Sequence, residues 1–428
     1  VNFDGITYAK GASVLKQLVA YVGLEPFLAG LREYFAEHRF GNATFADLVA
    51  ALERSSGRDL SDWGAQWLKT TGINVLRPEF EVDADGAFTA FAVLQDGAAP
   101  GAGETRVHRM KIGIYDDVDG ALVRTRVVEL DVEGSRTDVP ELIGAHRGQL
   151  VLLNDDDLTY ASVRLDPQSL ATATARIGDI ADSMPRTLVW SAAWEMTRQA
   201  EMTARDFVAL VQSGIGAETE VGVVQRVLMQ AASALESYAE PGWAAQTGWP
   251  GFATALLELA RAAEAGSDHQ LAFVNSLLGG VLTAEQQPLL QALLDGADPA
   301  AHGLPGLQVD AELRWKLVKA LAAAGAIDTD PASSPVIDAE LARDTTAAGT
   351  RHAAAARAAR PNPEAKAQAW RTAFEDDSVA NVTVRSIVEG LTRAGQDALL
   401  APYTQAYFAG VRELWSRRTS EVAQTVVI

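Results

Sequence analysis

Apolar residues recur at two different periods along this chain, and the switches between them mark three regions. Up to residue 73 the spacing is helical. Ala12, Leu15, Val19 and Val22 fall on one helix face, as do Phe27, Leu31 and Phe35. Thr44 with Asp47 three residues later is a capping-box start, ahead of an apolar face of Leu48, Val49 and Leu52. A fourth helix is expected from about Leu60 to Thr70, carrying Trp63 and Trp67 four residues apart.

From residue 74 the period moves toward two. Glu79-Phe80-Glu81-Val82, the turn Asp85-Gly86 and the run Phe88 to Val93 predict a hairpin, because glycine accepts the positive φ of a tight turn. The pattern repeats as Met110 to Ile114, Asp119-Gly120 and Val127 to Val132. Leu150 to Leu153 and Ala161 to Leu165 add two strands, and Gly97 to Gly103 is expected to be an exposed loop. Short strands at this spacing over 74–168 predict a small β-sandwich.

Beyond residue 169 the helical period returns. Amphipathic segments at about 185–199, 204–215, 220–237, 251–265, 269–279, 284–294, 310–324, 338–344, 347–359, 363–374, 379–390 and 395–417 are punctuated by Gly, Pro and Asp. No clean sequence repeat emerges, yet many short helices with short loops fit a superhelical α-solenoid of stacked pairs, HEAT-like in kind. The fold class is therefore multidomain and mainly α, with a small β-sandwich.

Composition narrows the classes of function. A chain of 428 residues exceeds a single hydrophobic core. The net charge is -20, and the three regions carry -1, -9 and -10. Phosphate backbones call for clustered Lys and Arg, so nucleic acid is excluded as a partner. No apolar run reaches bilayer length, so no membrane contact is expected. Val1-Asn2-Phe3-Asp4 lacks the features of a signal peptide and reads as a cut end. Absence of cysteine excludes disulfides and thiol chemistry, and points to a reducing compartment, the cytoplasm.

Candidate chemistry is sparse. His38, His108, His146, His269, His302 and His352 include no pair close enough for two imidazoles to meet a metal from adjacent turns. There is no phosphate-binding glycine loop and no nucleophile elbow. Asp155-Asp156-Asp157 lacks the alternating ligands of a calcium loop and reads as a solvated turn. Trp190, Trp194 and Arg198 share a helix face, where packing with a cation–π contact is expected. The informative segment is Asn2 to Ala12. There Tyr8 stands near a helix start, and Gly11, costly inside a helix, hints at close backbone packing.

Tyr8-Ala9-Lys10-Gly11 followed by Val14-Leu15 resembles the segment after the zinc motif in the aminopeptidase N family of gluzincins. The ordered series continues with Phe27 to Leu31, Tyr34-Phe35, Phe45 to Leu48, Asp62-Trp63 and Trp67-Leu68. Later segments, Leu188 to Trp194, Asp310 to Leu317, Arg343 to Thr345, Lys366 to Trp370 and Asn381 to Gly390, look like the actinobacterial form. The resemblance implies that 1–73 is the helical end of a thermolysin-like catalytic domain, 74–168 its β-sandwich and 169–428 its helical superhelix. It also implies zinc as cofactor, with ligands absent from this chain. The partners implied are peptides with a free N-terminus and the missing N-terminal half of the same enzyme, acting as a monomer. Tyr8 is the one residue carried over as catalytic, as the donor to the tetrahedral oxyanion, and this fragment alone is expected to be inactive. The alternative is a non-catalytic β-sandwich plus α-solenoid that binds other proteins.

Overall fold

Ile6–Lys10 forms one π-helical turn that runs directly into α1 (Gly11–Val22). Gly23, with φ of 90°, ends α1 and lets α2 (Leu24–Glu37) leave at 109° to it. An L side chain would strain that backbone. The computed structural model describes residues 5–426, so Val1-Asn2-Phe3-Asp4 lies outside the described residues.

The buried stripe of α1 is Val14, Leu18 and Val22, together with the amide of Gln17, while Leu15 is exposed. The expected stripe is thus rotated, because the same spacing admits two phases and a buried polar partner selects one. In α2 the expected face also yields. Phe35 is exposed, and Gly30 is the buried residue, where α3 (Phe45–Ser56) approaches so closely that a Cβ would lie 2.7 Å from Ser55 Oγ. Close packing at glycine therefore occurs at Gly30 and not at Gly11, whose nearest neighbour would be 3.9 Å away. Thr44 and Asp47 form the predicted capping box. Trp63 and Trp67 of α4 (Trp63–Leu68) are buried with Leu52, Leu60 and the α1 stripe in one core.

Seven strands follow. β1 (Ile73–Val82) and β2 (Phe88–Ala99) pair antiparallel through the Asp85-Gly86 turn. β3 (His108–Val118) and β4 (Ala121–Val132) do so through Asp119-Gly120. With β5 (Arg136–Asp138), β6 (Leu150–Asp155) and β7 (Ser162–Val163) they make two sheets, ordered β5-β2-β1-β7 and β4-β3-β6. Leu76, Phe88, Phe91, Ile112, Ile114, Val151 and Leu153 fill the sandwich core. The expected exposed loop from Gly97 is instead strand at its start. Ala98 is 2% exposed, and a Cβ on Gly97 would lie 2.3 Å from Gly103 O. α5 (Pro167–Arg176) packs on β6, and α6 (Ser183–Arg198) on β6 and β7. In α6, Trp190 is buried, whereas Arg198 lies at the surface and pairs with Glu195 at 2.9 Å.

The chain divides into two compact units, Val1–Met202 and Thr203–Ile428. Among its described residues the second has helices and loops but no strand. Val221–Ser233, Asp268–Gly279, Ala311–Ala323, Ala347–Ala359, Asn381–Leu391 and Ser420–Val426 pack each on the next as one layer. Trp249–Ala262, Gln287–Leu294, Pro335–Arg343 and Pro363–Trp370 pack on members of that layer, as stacked pairs of an α-solenoid. The helix expected over 395–417 is broken around Pro402, whose ring and missing N–H oppose continuation, into Asp397–Leu400 and Thr404–Arg417. Between two ends of the layer, buried Lys366 donates to Ala358 O at 2.8 Å and Leu391 O at 3.1 Å. Its ammonium closes two helix C-termini.

Candidate active site at the Tyr8 turn

Tyr8 lies within the π-helical turn, closed by the Gly11 N–H donating to Ile6 O, and its side chain is 60% exposed. Turns of the same kind occur at Ala234–Tyr238, Ala244–Gly248 and Arg371–Glu375, so the turn by itself marks no site. None of the side chains of Ile6–Lys10 is buried. The turn instead presents Tyr8 outward beside Ile6, which is 71% exposed. A phenol carries one O–H donor.

Two residues on, the Lys10 ammonium stands 5.9 Å from the ring centroid of Tyr160. Desolvation, then the charge of Arg106, hold its pKa below the ordinary lysine value. Arg106 is 2% exposed and meets no carboxylate by hydrogen bond among the described residues. It donates to Asn74 Oδ1 (2.8 Å), Thr70 Oγ1 (2.8 Å), Thr71 O (3.0 Å) and Gln66 O (3.0 Å), and lies over the Trp67 ring. Five donors in a rigid fork suit a site with many carbonyls.

Next to it His108 is fully buried. Burial, then the charge of Arg106, lower its pKa to about 3, so it is neutral. Its Nδ1 is 2.8 Å from Thr159 Oγ1, and its ring meets Trp67 edge-on. The amide of Gln17 completes the group, donating to Thr159 Oγ1 at 2.7 Å and accepting from Arg109 N at 2.9 Å.

The aspartate run is more than a solvated turn, and that expectation is corrected. Asp155 is fully buried and accepts from Tyr115 Oη and from Arg124, each at 2.9 Å. Asp156 pairs with Lys111 at 2.7 Å, and Asp157 with Lys16 of α1 at 3.2 Å. Burial and the Asp155 carboxylate raise the pKa of Tyr115, keeping its phenol neutral as the donor. Acidic residues in sequence read as solvated. Only the fold supplies the cations and the phenol that make burial affordable.

The remaining histidines are dispersed. His38 tilts over Tyr34, His269 meets Glu218 O at 3.1 Å, and His352 stacks on Trp315. Among the described residues no three His, Cys, Asp or Glu side chains stand together as a metal site. Of the sequence-derived candidates, then, Tyr8 stands exposed at a helix entry. Gln17, Arg106, His108, Thr159 and Tyr160 gather behind it with no motif to announce them.

Comparison with known proteins follows the same order along the chain. The peptidase family M1 domain matches residues 1–67, and the ERAP1-like C-terminal domain matches residues 150–428. Aminopeptidase N of Streptomyces lividans is 51% identical over 436 residues, covering 100% of this chain and 50% of that protein. Tricorn protease-interacting factor F2 of Thermoplasma volcanium is 40% identical over 84 residues, covering 20% of this chain and 10% of that protein. The crystal structure of Legionella pneumophila aminopeptidase A in complex with aspartic acid superposes with a TM-score of 0.66 at 12% identity. It covers 99% of this chain and 52% of that one, and speaks for the fold. The chain thus spans about half the length of its Streptomyces relative. Matched over most of its length by the ERAP1-like C-terminal domain, the chain belongs to that domain family, and its first 67 residues match the peptidase family M1 domain.

Proposed function

We propose that this chain is the C-terminal half of a zinc aminopeptidase, a gluzincin that removes N-terminal residues from peptides, and that Tyr8 stabilises the tetrahedral oxyanion. The observation that carries the reading is Tyr8 on an outward-facing π-helical turn, within the part matched by the M1 peptidase domain. The described residues offer zinc no site. On this reading its ligands come from the length of the relatives that this chain does not span.

When bound, zinc supplies an activated water and polarises the scissile carbonyl. The contribution of this chain is separate. The Tyr8 phenol donates through Oη to the oxygen on which negative charge develops. Such a donor acts more strongly on the transition state than on the ground-state carbonyl, which is the condition for raising kcat. The substrates are peptides with a free N-terminus. The acidic balance of the chain, -20 overall, favours approach of their cationic amines. The same reading makes the enzyme a cytoplasmic monomer, in keeping with a chain free of cysteine.

The test compares the 428-residue chain with a version extended upstream to the full length of its relatives. Zinc content and hydrolysis of aminoacyl p-nitroanilides are measured on both. One zinc and turnover in the extended protein alone are expected. An extended protein that holds no metal and cleaves nothing would replace this reading with a protein-binding scaffold.

A further inference from the structure

The segment from Asn154 to Tyr160, which leaves β6, is an unusually constrained turn. Asn154, Asp156 and Asp157 have φ of 57°, 67° and 54°, a left-handed region that costs non-glycine residues energy. Such backbone persists only where its surroundings over-determine it, and here they do. Asn154 Nδ2 donates to Thr159 O and the Thr159 N–H donates to Asn154 Oδ1, both at 2.9 Å. Tyr115, Arg124 and Lys111 hold Asp155 and Asp156 from the sheet below.

This rigid turn grips the helix that follows Tyr8. Lys16 Nζ donates to Asp156 O and Asp157 Oδ2, each at 3.2 Å. The Gln17 amide donates to Thr159 Oγ1 at 2.7 Å and Leu158 O at 3.2 Å. Those contacts fix the body of α1. The remaining one reaches the Tyr8 turn itself, where the Lys10 ammonium lies 5.9 Å from the Tyr160 ring centroid. Among the described residues Lys10 has no carboxylate partner, so the aromatic face is its charge complement.

We propose that the 154–160 turn of the β-sandwich is the positioning element for the Tyr8 hydroxyl, and that Tyr160, through Lys10, is its positioning residue. The assignment rests on Tyr8 being the oxyanion donor. It adds that the sandwich sets where that donor points. A donor displaced by about 1 Å loses much of its effect on the transition state, while peptide binding, made elsewhere, is retained.

The test is a double-mutant cycle in the extended, zinc-loaded enzyme, with kcat, KM and the unfolding midpoint read for each variant. Tyr160→Leu is expected to lower kcat about tenfold to a hundredfold, with KM within about twofold. Tyr160→Phe, which keeps the ring, retains most of the rate. In a Tyr8→Phe background Tyr160→Leu produces no further loss, because its effect passes through Tyr8. Lys10→Met repeats the Tyr160→Leu phenotype on the surface turn, where no core residue is removed, and Lys10→Arg restores the rate. Losses that multiply in the double variant, or an unchanged kcat in both Tyr160→Leu and Lys10→Met, would overturn the proposal. Should Tyr8→Phe alone leave kcat untouched, the oxyanion assignment fails first and this proposal falls with it. That result is distinct from an active Tyr8 with an indifferent Tyr160.

Discussion

Behind the Tyr8 turn, buried polar groups do what apolar packing does elsewhere. Arg106, His108, Gln17 and Thr159 are all nearly or fully buried, and each has a named partner. His108 makes this arrangement sensitive to acid. Its folded pKa of about 3 lies below the ordinary histidine value of 6.5, so the folded protein binds the proton less readily than the unfolded chain. The stability tied to the neutral ring is complete above pH 6.5 and is lost as the pH falls toward 3. Its size is about 5 kcal/mol across that window. Denaturant unfolding of wild type is expected to lose stability faster than His108→Gln between these pH values. Parallel pH curves for the two would show that the ring is not buried as described.

At the scale of elements, the α2–α3 crossing depends on one missing side chain. Gly30→Ala adds helix propensity of about 1 kcal/mol. It also drives a Cβ to 2.7 Å from Ser55 Oγ, 2.8 Å from Leu52 Cδ2 and 3.1 Å from Ala51 O. Overpacking of this kind costs about 1–3 kcal/mol, so net destabilisation is expected in thermal unfolding. A raised midpoint would contradict the close approach. Much at this scale was legible in the sequence. Asp85-Gly86 and Asp119-Gly120 announced both hairpins through turn chemistry, and Thr44 with Asp47 announced α3 through its cap. Among the readings that failed, two show the physical reason most clearly. The α1 stripe rotated because Gln17 faces inward to Thr159, and hydropathy cannot foresee a satisfied buried amide. Asp155 was taken for a solvated residue because its partners Tyr115 and Arg124 arrive from β3 and β4, far away in the chain. For the candidate site, Tyr8 was put forward by resemblance alone. Lys10's partner Tyr160 was not, since no spacing links residues that only the fold brings together.

For the whole molecule, the division at Met202 and Thr203 has a direct consequence. Thr203 Oγ1 accepts from the Asp206 N–H at 3.1 Å, so the second unit opens on its own helix cap. Residues 203–428 expressed alone are expected to fold, with a helical circular dichroism spectrum and a cooperative melt. A featureless melt would show that the unit depends on the rest of the chain. Ile6, Leu15, Leu24, Phe35 and Phe40 are exposed apolar side chains within the residues matched by the M1 domain, an apolar surface of the kind that packs against a partner.

The most direct measurement is kcat and zinc content of the extended enzyme carrying Tyr8→Phe. Loss of the oxyanion donor is expected to lower kcat by about 10²–10³ while zinc stays bound at the wild-type ratio. An unchanged kcat with zinc still bound would contradict the account at its centre.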